Sequence, residues 1–281
     1  MARPLVFCIA TRKADIVPKL HLFTDWLGTK VGVAIEAKVA SSYEELARSM
    51  REEAVDVAWL PPIVFVHLER EGTAVPLVSN WRAGLASYHA ALVVPQSMRI
   101  HTLLGLQGAR AVWVDPFSAS GYVLPRLQLV ALGIDPRQVF SEERFVGSHE
   151  GVVRELMEGR ADVGATYATV NEAGVAVRGG WTDVPGGSEQ VRVLTTFGTI
   201  PGDLVAAHVK LEPSLAEAFS RALVAVGNDP GAAALAREVL GVEEFHAGGG
   251  DSYGALRRAV ADAAMHGLLE SLGMRPASLR P

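Results

Sequence analysis

The segment 115–122, Asp-Pro-Phe-Ser-Ala-Ser-Gly-Tyr, carries the polar groups that best fit an anion-binding site. It follows a short apolar run that predicts a strand, and it opens a helical pattern over residues 118–132. The first N–H groups of a helix have no partner within the helix, and the helix dipole adds partial positive charge at that end. Ser118 and Ser120 add hydroxyl donors, and Gly121 would let an oxyanion approach the backbone. The segment therefore predicts an anion site without a lysine.

Two other interpretations of this segment stay open. Ser118 is equally well placed to cap the predicted helix, because serine side chains commonly accept the N–H groups of a first turn. Ser120, His149 and Asp203 also supply the residue types of a hydrolase triad. A nucleophile elbow requires glycine two residues before the nucleophile, and that position is Ser118. The hydrolase interpretation is therefore disfavoured.

Other candidate residues stand singly at the starts of predicted elements. His149 begins a predicted helix, where an imidazole can donate to a bound anion. Tyr43 and Tyr88 follow small polar residues, and half-buried packing is the usual role of such a tyrosine. The single cysteine, Cys8, lies in an apolar run and is expected to be a small buried hydrophobe.

Composition excludes several classes of function. The 281 residues include 26 basic and 31 acidic side chains, a net charge of −5, which argues against a nucleic-acid partner. One cysteine excludes a disulfide framework, and the 8 histidines lack metal-site spacing, so no metal is expected. No phosphate-loop or dinucleotide motif is present, so no cofactor is expected. No run approaches the ~20 apolar residues of a membrane helix. No export signal is legible, so a cytoplasmic location is expected if the sequence is the full natural chain.

Strand-like runs alternate with helical patterns in two successive blocks. The first block covers about the first ninety residues, and the second runs from about residue 111 to residue 208. From Pro213 onward the pattern is helical, with breaks at residues 229–230 and 246–250. Ser42, with Glu45 three residues later, predicts a capping box for a helix that begins at Tyr43. This alternation predicts an α/β protein with mostly parallel sheets covered on both faces.

Together these segments resemble the substrate-binding proteins of phosphate, phosphite and phosphonate ABC transporters, a branch of the type II periplasmic-binding-protein fold. The resembling segments stand in family order over most of the chain. They are residues 43–46, 56–62, 87–94, 115–125, 133–136, 147–150 and 200–203.

The resemblance implies an α/β clamp of two lobes, each a mixed, mostly parallel sheet flanked by helices. Lobe one is expected over residues 1–85 plus 204–281 and lobe two over 86–203, with hinge crossings near 83–90 and 199–203. It implies a solute-binding protein, not an enzyme, that closes on phosphate, phosphite or a phosphonate. Such a protein would be a monomer, in the periplasm or at the cell surface, and would dock on an ABC transporter permease if exported.

The resemblance also implies a set of ligand-binding residues. They are Tyr43, Tyr88, Ser118, Ala119, Ser120, Gly121, His149, Tyr167 and Asp203. Ala119 departs from the family's serine/threonine run and removes one hydroxyl. Tyr167 stands near the position where aminophosphonate binders place an acidic residue, which leaves Asp203 as the acidic candidate. These departures favour a small ligand, or one enclosed by an aromatic side chain, over an aminoalkyl one.

A cytosolic enzyme or a ligand sensor on the same fold is the alternative. Enzymes of menaquinone and thiamine-pyrimidine biosynthesis share this fold, but their resemblance to this chain is thinner. The 5 lysines, Lys13, Lys19, Lys30, Lys38 and Lys210, lie outside the predicted cleft segments, so Schiff-base chemistry lacks a donor.

Overall fold

The computed structural model of the chain describes residues 3–11, 13–81 and 86–265. The chain divides into two units, the first formed by Met1–Ser87 and Pro201–Arg257 and the second by Tyr88–Ile200 and Arg258–Pro281. Residues 83–85 of the first predicted crossing lie outside the described residues, as do residues 266–281 of predicted lobe one. The sequence-based boundary keeps every residue after 204 in lobe one, whereas this division assigns the described residues 258–265 to the second unit.

Strands and helices alternate through both units. The strands are β1 (Leu5–Ala10), β2 (Ile35–Ala40), β3 (Val57–Leu60), β4 (Ala74–Trp81), β5 (Ser87–Pro95), β6 (Ala109–Trp113), β7 (Phe140–Phe145), β8 (Val163–Val170), β9 (Ala176–Gly179), β10 (Val191–Pro201), β11 (Leu204–His208) and β12 (Glu244–Ala247). The helices are α1 (Val17–Val31), α2 (Tyr43–Arg51), α3 (Pro62–Arg70), α4 (Leu124–Ala131), α5 (Pro136–Val139), α6 (His149–Met157), α7 (Gly187–Gln190), α8 (Pro213–Val224), α9 (Pro230–Leu240) and α10 (Gly254–Met265). Among the described residues, none of the helices is both long enough and apolar enough to cross a membrane.

The sheet of the first unit has the strand order β12-β4-β11-β3-β1-β2. β1 pairs in parallel with β2 and β3, whereas β11 is antiparallel to β3 and β4, and β12 is antiparallel to β4. The sheet is mixed, as predicted: β1, β2, β3 and β4 run in one direction, and β11 and β12 run against them. The physical reason is that β11 begins where the chain returns to this unit, and it runs between β3 and β4 in the opposite direction.

Apolar side chains of this sheet and its helices form one core. Phe7 of β1 packs edge-to-face on Phe23 of α1, with ring centroids 6.3 Å apart. Cys8 is fully buried, and its burial raises the pKa of the thiol to about 12. At such a pKa the thiol stays neutral, as expected for a small hydrophobe.

The sheet of the second unit has the strand order β10-β5-β8-β6-β7, and β9 pairs with β8. β6 lies parallel to both β7 and β8, while β5 and β9 are antiparallel to β8. This sheet is mixed as well, as the sequence predicts. Its core includes Val112, Val114 and the α6 residues Val152 and Val153.

Two strands differ from the sequence-based assignment. The predicted break at residues 246–250 overlaps β12, which pairs with the edge of the first sheet along β4. Phe245 of this strand is buried and packs edge-to-face on Trp59, with ring centroids 6.4 Å apart. The four-residue strand β9 was also missed. Both strands are too short to show alternation, and pairing with a distant edge defines them.

The start of α2 is capped nearly as the sequence predicts. Ser42 Oγ accepts the N–H of Glu45 at 3.1 Å, which is the first half of the predicted capping box. The Glu45 carboxylate accepts the N–H of Ser41 at 2.8 Å, rather than that of Ser42. Hydrogen bonds from the hydroxyl and N–H of Ser41 lower the pKa of Glu45. Tyr43 is thereby held as the first residue of the helix.

Replacing Ser42 with alanine should lower the free energy of unfolding by about 1 kcal/mol, because the N–H of Glu45 loses its acceptor. Ser42→Asp is the matched control, since aspartate can accept the same N–H and should retain most of the stability. Urea unfolding of the two variants beside the natural protein measures the difference. Equal stability of Ser42→Ala and the natural protein would contradict this assignment.

Candidate functional site

Three parallel strands of the second unit end at one edge of its sheet. β6 lies between β8 and β7, and each pairs with it in parallel. The segment 115–121 follows β6, and the segment 147–149 follows β7. On β8, Thr166 lies two residues beyond Gly164, which pairs with Val112. Ligands of open α/β sheets bind beyond such carboxyl ends, so this edge is the candidate site.

The backbone of Val114 ties the two loops together. Its N–H donates to the carbonyl of Gly121 at 3.2 Å, and its carbonyl accepts the N–H of Gly147 at 2.7 Å. One residue at the end of β6 therefore positions both helix starts.

The predicted helix 118–132 begins with a π-helical turn, Ala119–Val123, before α4. Ser118 Oγ accepts the N–H of Gly121 at 3.0 Å, so the capping interpretation is confirmed. As an acceptor in that bond, the hydroxyl keeps its own hydrogen for donation. Ser118, Ala119 and Ser120 are 4%, 3% and 2% exposed. The N–H groups of Ala119 and Ser120 stand in the first turn, where a helix supplies no carbonyl partner.

Gly121 has a different role from the one its sequence position indicates. Its N–H binds Ser118 and its carbonyl binds Val114. A Cβ at this position would lie 2.4 Å from Cγ2 of Val114. Close packing of the turn on β6, rather than access for an oxyanion, is therefore the reason that the structure gives for glycine here.

His149 is the first residue of α6 and is held from two sides. Ser148 caps the helix through its Oγ, which accepts the N–H of Gly151 at 3.0 Å. The His149 Nδ1 lies 2.9 Å from Oγ1 of Thr166, which is fully buried. The ring of Tyr167 stands edge-to-face to the imidazole, with centroids 5.2 Å apart.

The partner of His149 bears on the hydrolase interpretation. In a Ser-His-Asp triad, Nδ1 of the histidine donates to the buried aspartate. Here a threonine hydroxyl binds Nδ1, the ring atom that the aspartate of a triad would bind. The hydrogen bonding of His149 therefore argues against a triad with Ser120.

Three residues near His149 were missed by sequence reasoning as site residues: Thr166, Gly180 and Asp183. The Tyr167 hydroxyl donates to Oδ2 of Asp183, and the other carboxylate oxygen is 3.8 Å from Nη2 of Arg178. Asp183 is therefore a second acidic candidate beside Asp203, and sequence reasoning did not name it. The glycine pair before Trp181 was the available signal, because paired glycines mark a close approach of backbone.

The remaining predicted residues lie on both units. Tyr88 is the second residue of β5, next to His89, which pairs with Ala168 of β8. Tyr43 and Asp203 are half-buried residues of the first unit. The second unit alone brings together the turn 118–121, His149 and Tyr167 at the edge described above. The described residues include no cluster of three or more side chains suited to binding a metal ion.

Gly121→Ala should lower the free energy of unfolding by about 1–3 kcal/mol, because the added methyl overlaps Val114. The matched control is Gly227→Ala, where a Cβ would meet nothing within 4 Å. Thermal or urea unfolding measures both variants. If Gly121→Ala is as stable as the control, the packing role is wrong.

Comparison with known proteins gives matches over most of the chain. A family model described as the periplasmic substrate-binding protein of the phosphonate ABC transporter matches residues 8–253. The phosphate-import protein PhnD of Mycolicibacterium smegmatis is 25% identical over 214 residues, which cover 72% of this chain. The match spans 64% of that relative's own length. The matched family is one of substrate-binding proteins rather than enzymes, which confirms the non-catalytic class predicted from sequence.

Solved structures confirm the type II periplasmic-binding-protein fold. A Xanthomonas citri protein bound to chloride has a TM-score of 0.80 at 21% identity, covering 93% of this chain and 99% of its own. PhnD1 from Prochlorococcus marinus, in complex with methylphosphonate, has a TM-score of 0.74 at 16% identity. The match covers 92% of this chain and 98% of PhnD1. The match to the family model shows that the chain belongs to the family of periplasmic substrate-binding proteins of phosphonate ABC transporters.

Proposed function

We propose that this protein binds a small phosphorus oxyanion, namely phosphate, phosphite or a small phosphonate, for an ABC transporter. The observation that carries the proposal is the pair of helix starts at one sheet edge of the second unit. The turn at Ala119 follows β6, α6 begins at His149 after β7, and Val114 binds the backbone of both loops.

The chemistry of this edge suits an anion because its groups are mainly hydrogen-bond donors. Two first-turn N–H groups, the hydroxyls of Ser118 and Ser120, and the His149 imidazole supply them. The serines are almost fully buried, so a ligand there would be largely removed from water. Hydrogen bonds to a charged group contribute ~1.5–3 kcal/mol each. Four of them suffice for micromolar binding, about −8 kcal/mol, after the costs of ordering.

The family and the named relatives support the class of ligand. One relative is a phosphate-import protein, and one structural neighbour holds methylphosphonate. Ala119 presents a methyl group where the family has a hydroxyl, so we propose a ligand that needs fewer donors than a larger organophosphonate.

Residues outside this edge complete the proposal. We propose Tyr88 and Tyr167 as aromatic neighbours of the ligand, and Tyr43 and Asp203 of the first unit as further ligand contacts. The two lobes are proposed to close on the ligand about the predicted crossings. The partner is the permease of an ABC transporter, the protein acts as a monomer, and its location is the periplasm or the cell surface.

Ser120→Ala should weaken binding of the preferred anion by roughly 1–3 kcal/mol, because a charged acceptor is left short of a donor. Titration calorimetry with phosphate, phosphite and methylphosphonate measures the affinities. Ser49→Ala is the matched control, since Ser49 is a buried serine of the first unit outside the proposed site. Binding of none of the three anions by the natural protein would overturn the proposed function. Unchanged affinity in Ser120→Ala would overturn this placement of the site.

Aminoethylphosphonate should not bind more tightly than methylphosphonate by more than about tenfold, or ~1.4 kcal/mol. Asp183 is exposed, and it already accepts from Tyr167 and lies near Arg178. An exposed carboxylate and an ammonium contribute only about 0–1 kcal/mol. Competition binding measures the ratio, with Asp183→Asn as the comparison variant. A hundredfold preference for aminoethylphosphonate that Asp183→Asn abolishes would show that Asp183 recognises the amine.

A further inference from the structure

We infer that Thr166 is a positioning residue that holds the His149 ring so that Nε2 is presented to the anion as an N–H donor. The inference rests on the proposed function, because His149 is one of its proposed ligand contacts. Thr166 would not touch the ligand itself. It would act through the tautomer and the orientation of the imidazole.

The hydroxyl of Thr166 is a rigid anchor. Thr166 lies on β8, between β5 and β6, and pairs with Ala91 of β5. The residue is fully buried, and its Oγ1 is 2.9 Å from Nδ1 of His149. A β-branched side chain has few accessible χ1 rotamers, so neither the backbone nor the side chain of Thr166 moves easily.

Gly180 leaves the space that this hydrogen bond occupies. A Cβ on Gly180 would lie 2.2 Å from Oγ1 of Thr166 and 3.5 Å from Cβ of His149. Because residue 180 is glycine, its backbone can lie close to Thr166 without displacing the Thr166 hydroxyl. The Tyr167 ring packs edge-to-face on the His149 imidazole and limits the rotation of that ring.

The choice of a hydroxyl as the partner has a chemical consequence. A carbonyl or an ionised carboxylate can only accept, so it would keep the proton of a neutral imidazole on Nδ1. Nε2 would then be an acceptor and would repel an oxyanion. A hydroxyl can donate into Nδ1, and the single proton of the neutral ring then resides on Nε2. His149 can thus donate to an anion without being charged.

Two measurements on the full chain test this inference. The ¹⁵N NMR shifts of the His149 ring, assigned by their loss in His149→Gln, are recorded without ligand at a pH where the imidazole is neutral. Calorimetry with phosphate and methylphosphonate gives the affinities. The natural protein should show an unprotonated Nδ1 and a protonated Nε2.

Thr166→Val removes the hydroxyl at nearly constant shape. It should shift the Nδ1 resonance and weaken anion binding by about tenfold, the equivalent of one hydrogen bond. Thr166→Ser should restore the Nδ1 shift and bring the affinity within about threefold of the natural protein, since the donor is present again. Thr24→Val is the matched control, because Thr24 is a buried threonine of the first unit whose Oγ1 donates to the His21 carbonyl. It should change neither measurement.

Gly180→Ala provides an independent variant in which residue 166 is still threonine. Its methyl should displace the Thr166 hydroxyl and reproduce the spectrum of Thr166→Val. A proton on Nδ1 in the neutral natural protein would overturn the inference, as would an unchanged ring spectrum or affinity in Thr166→Val. Failure of the natural protein to bind any tested phosphorus oxyanion would instead overturn the proposed function. Because the spectrum is recorded without ligand, these two failures are distinguishable.

Discussion

The two hydrogen bonds of the Val114 backbone are the constraint on which the candidate site depends. A residue just past the end of a strand has its N–H and its carbonyl available for loops, and here each binds the loop that leads into a different helix. Both bonds end on glycines. Gly121 has no room for a Cβ against Val114, and Gly147 has a φ of +80°, a backbone conformation that favours glycine. Larger residues at either position would move a helix start away from the edge of the sheet.

The electrostatics of the site follow from this placement. A lysine-based anion site relies on a mobile charge, whereas first-turn N–H groups are positioned by the fold before any ligand arrives. Their burial beside Ser118 and Ser120 strengthens each hydrogen bond, because there is little water to compete for the ligand. The same burial penalises a site without an occupant, since unpaired polar groups are costly away from water. The affinity of the site and its preference for an anion therefore both come from buried donors that the fold holds in place.

Around this backbone frame, single side chains adjust the chemistry. Thr166 binds one ring nitrogen of His149. Tyr167, the next residue of β8, donates a hydrogen bond from its hydroxyl to the carboxylate of Asp183. The ring of Tyr167 also stands edge-to-face to the imidazole of His149. Two successive residues of β8 therefore contact the same histidine, one through a hydrogen bond and the other through ring packing.

Much of the fold and part of the site follow from the sequence alone. The alternation of strand and helix patterns, the caps at Ser42 and Ser118 and the burial of Cys8 are local properties, set by residues a few positions apart, and they are found where the sequence predicts them. The order of resembling segments was sufficient to predict the family, which the family match over residues 8–253 shows.

Tertiary structure decided what depends on residues distant in the chain. The strand β12 exists because it pairs with β4 at the sheet edge and buries Phe245 against Trp59, more than 180 residues away in the sequence. The role of Gly121 was set by Val114, and the side chain that binds Nδ1 of His149 is Thr166. Local patterns encode where a helix begins, because capping and dipole effects act within one turn. Which side chain meets a histidine across a sheet depends on strand order and register, and these are determined only when the core packs.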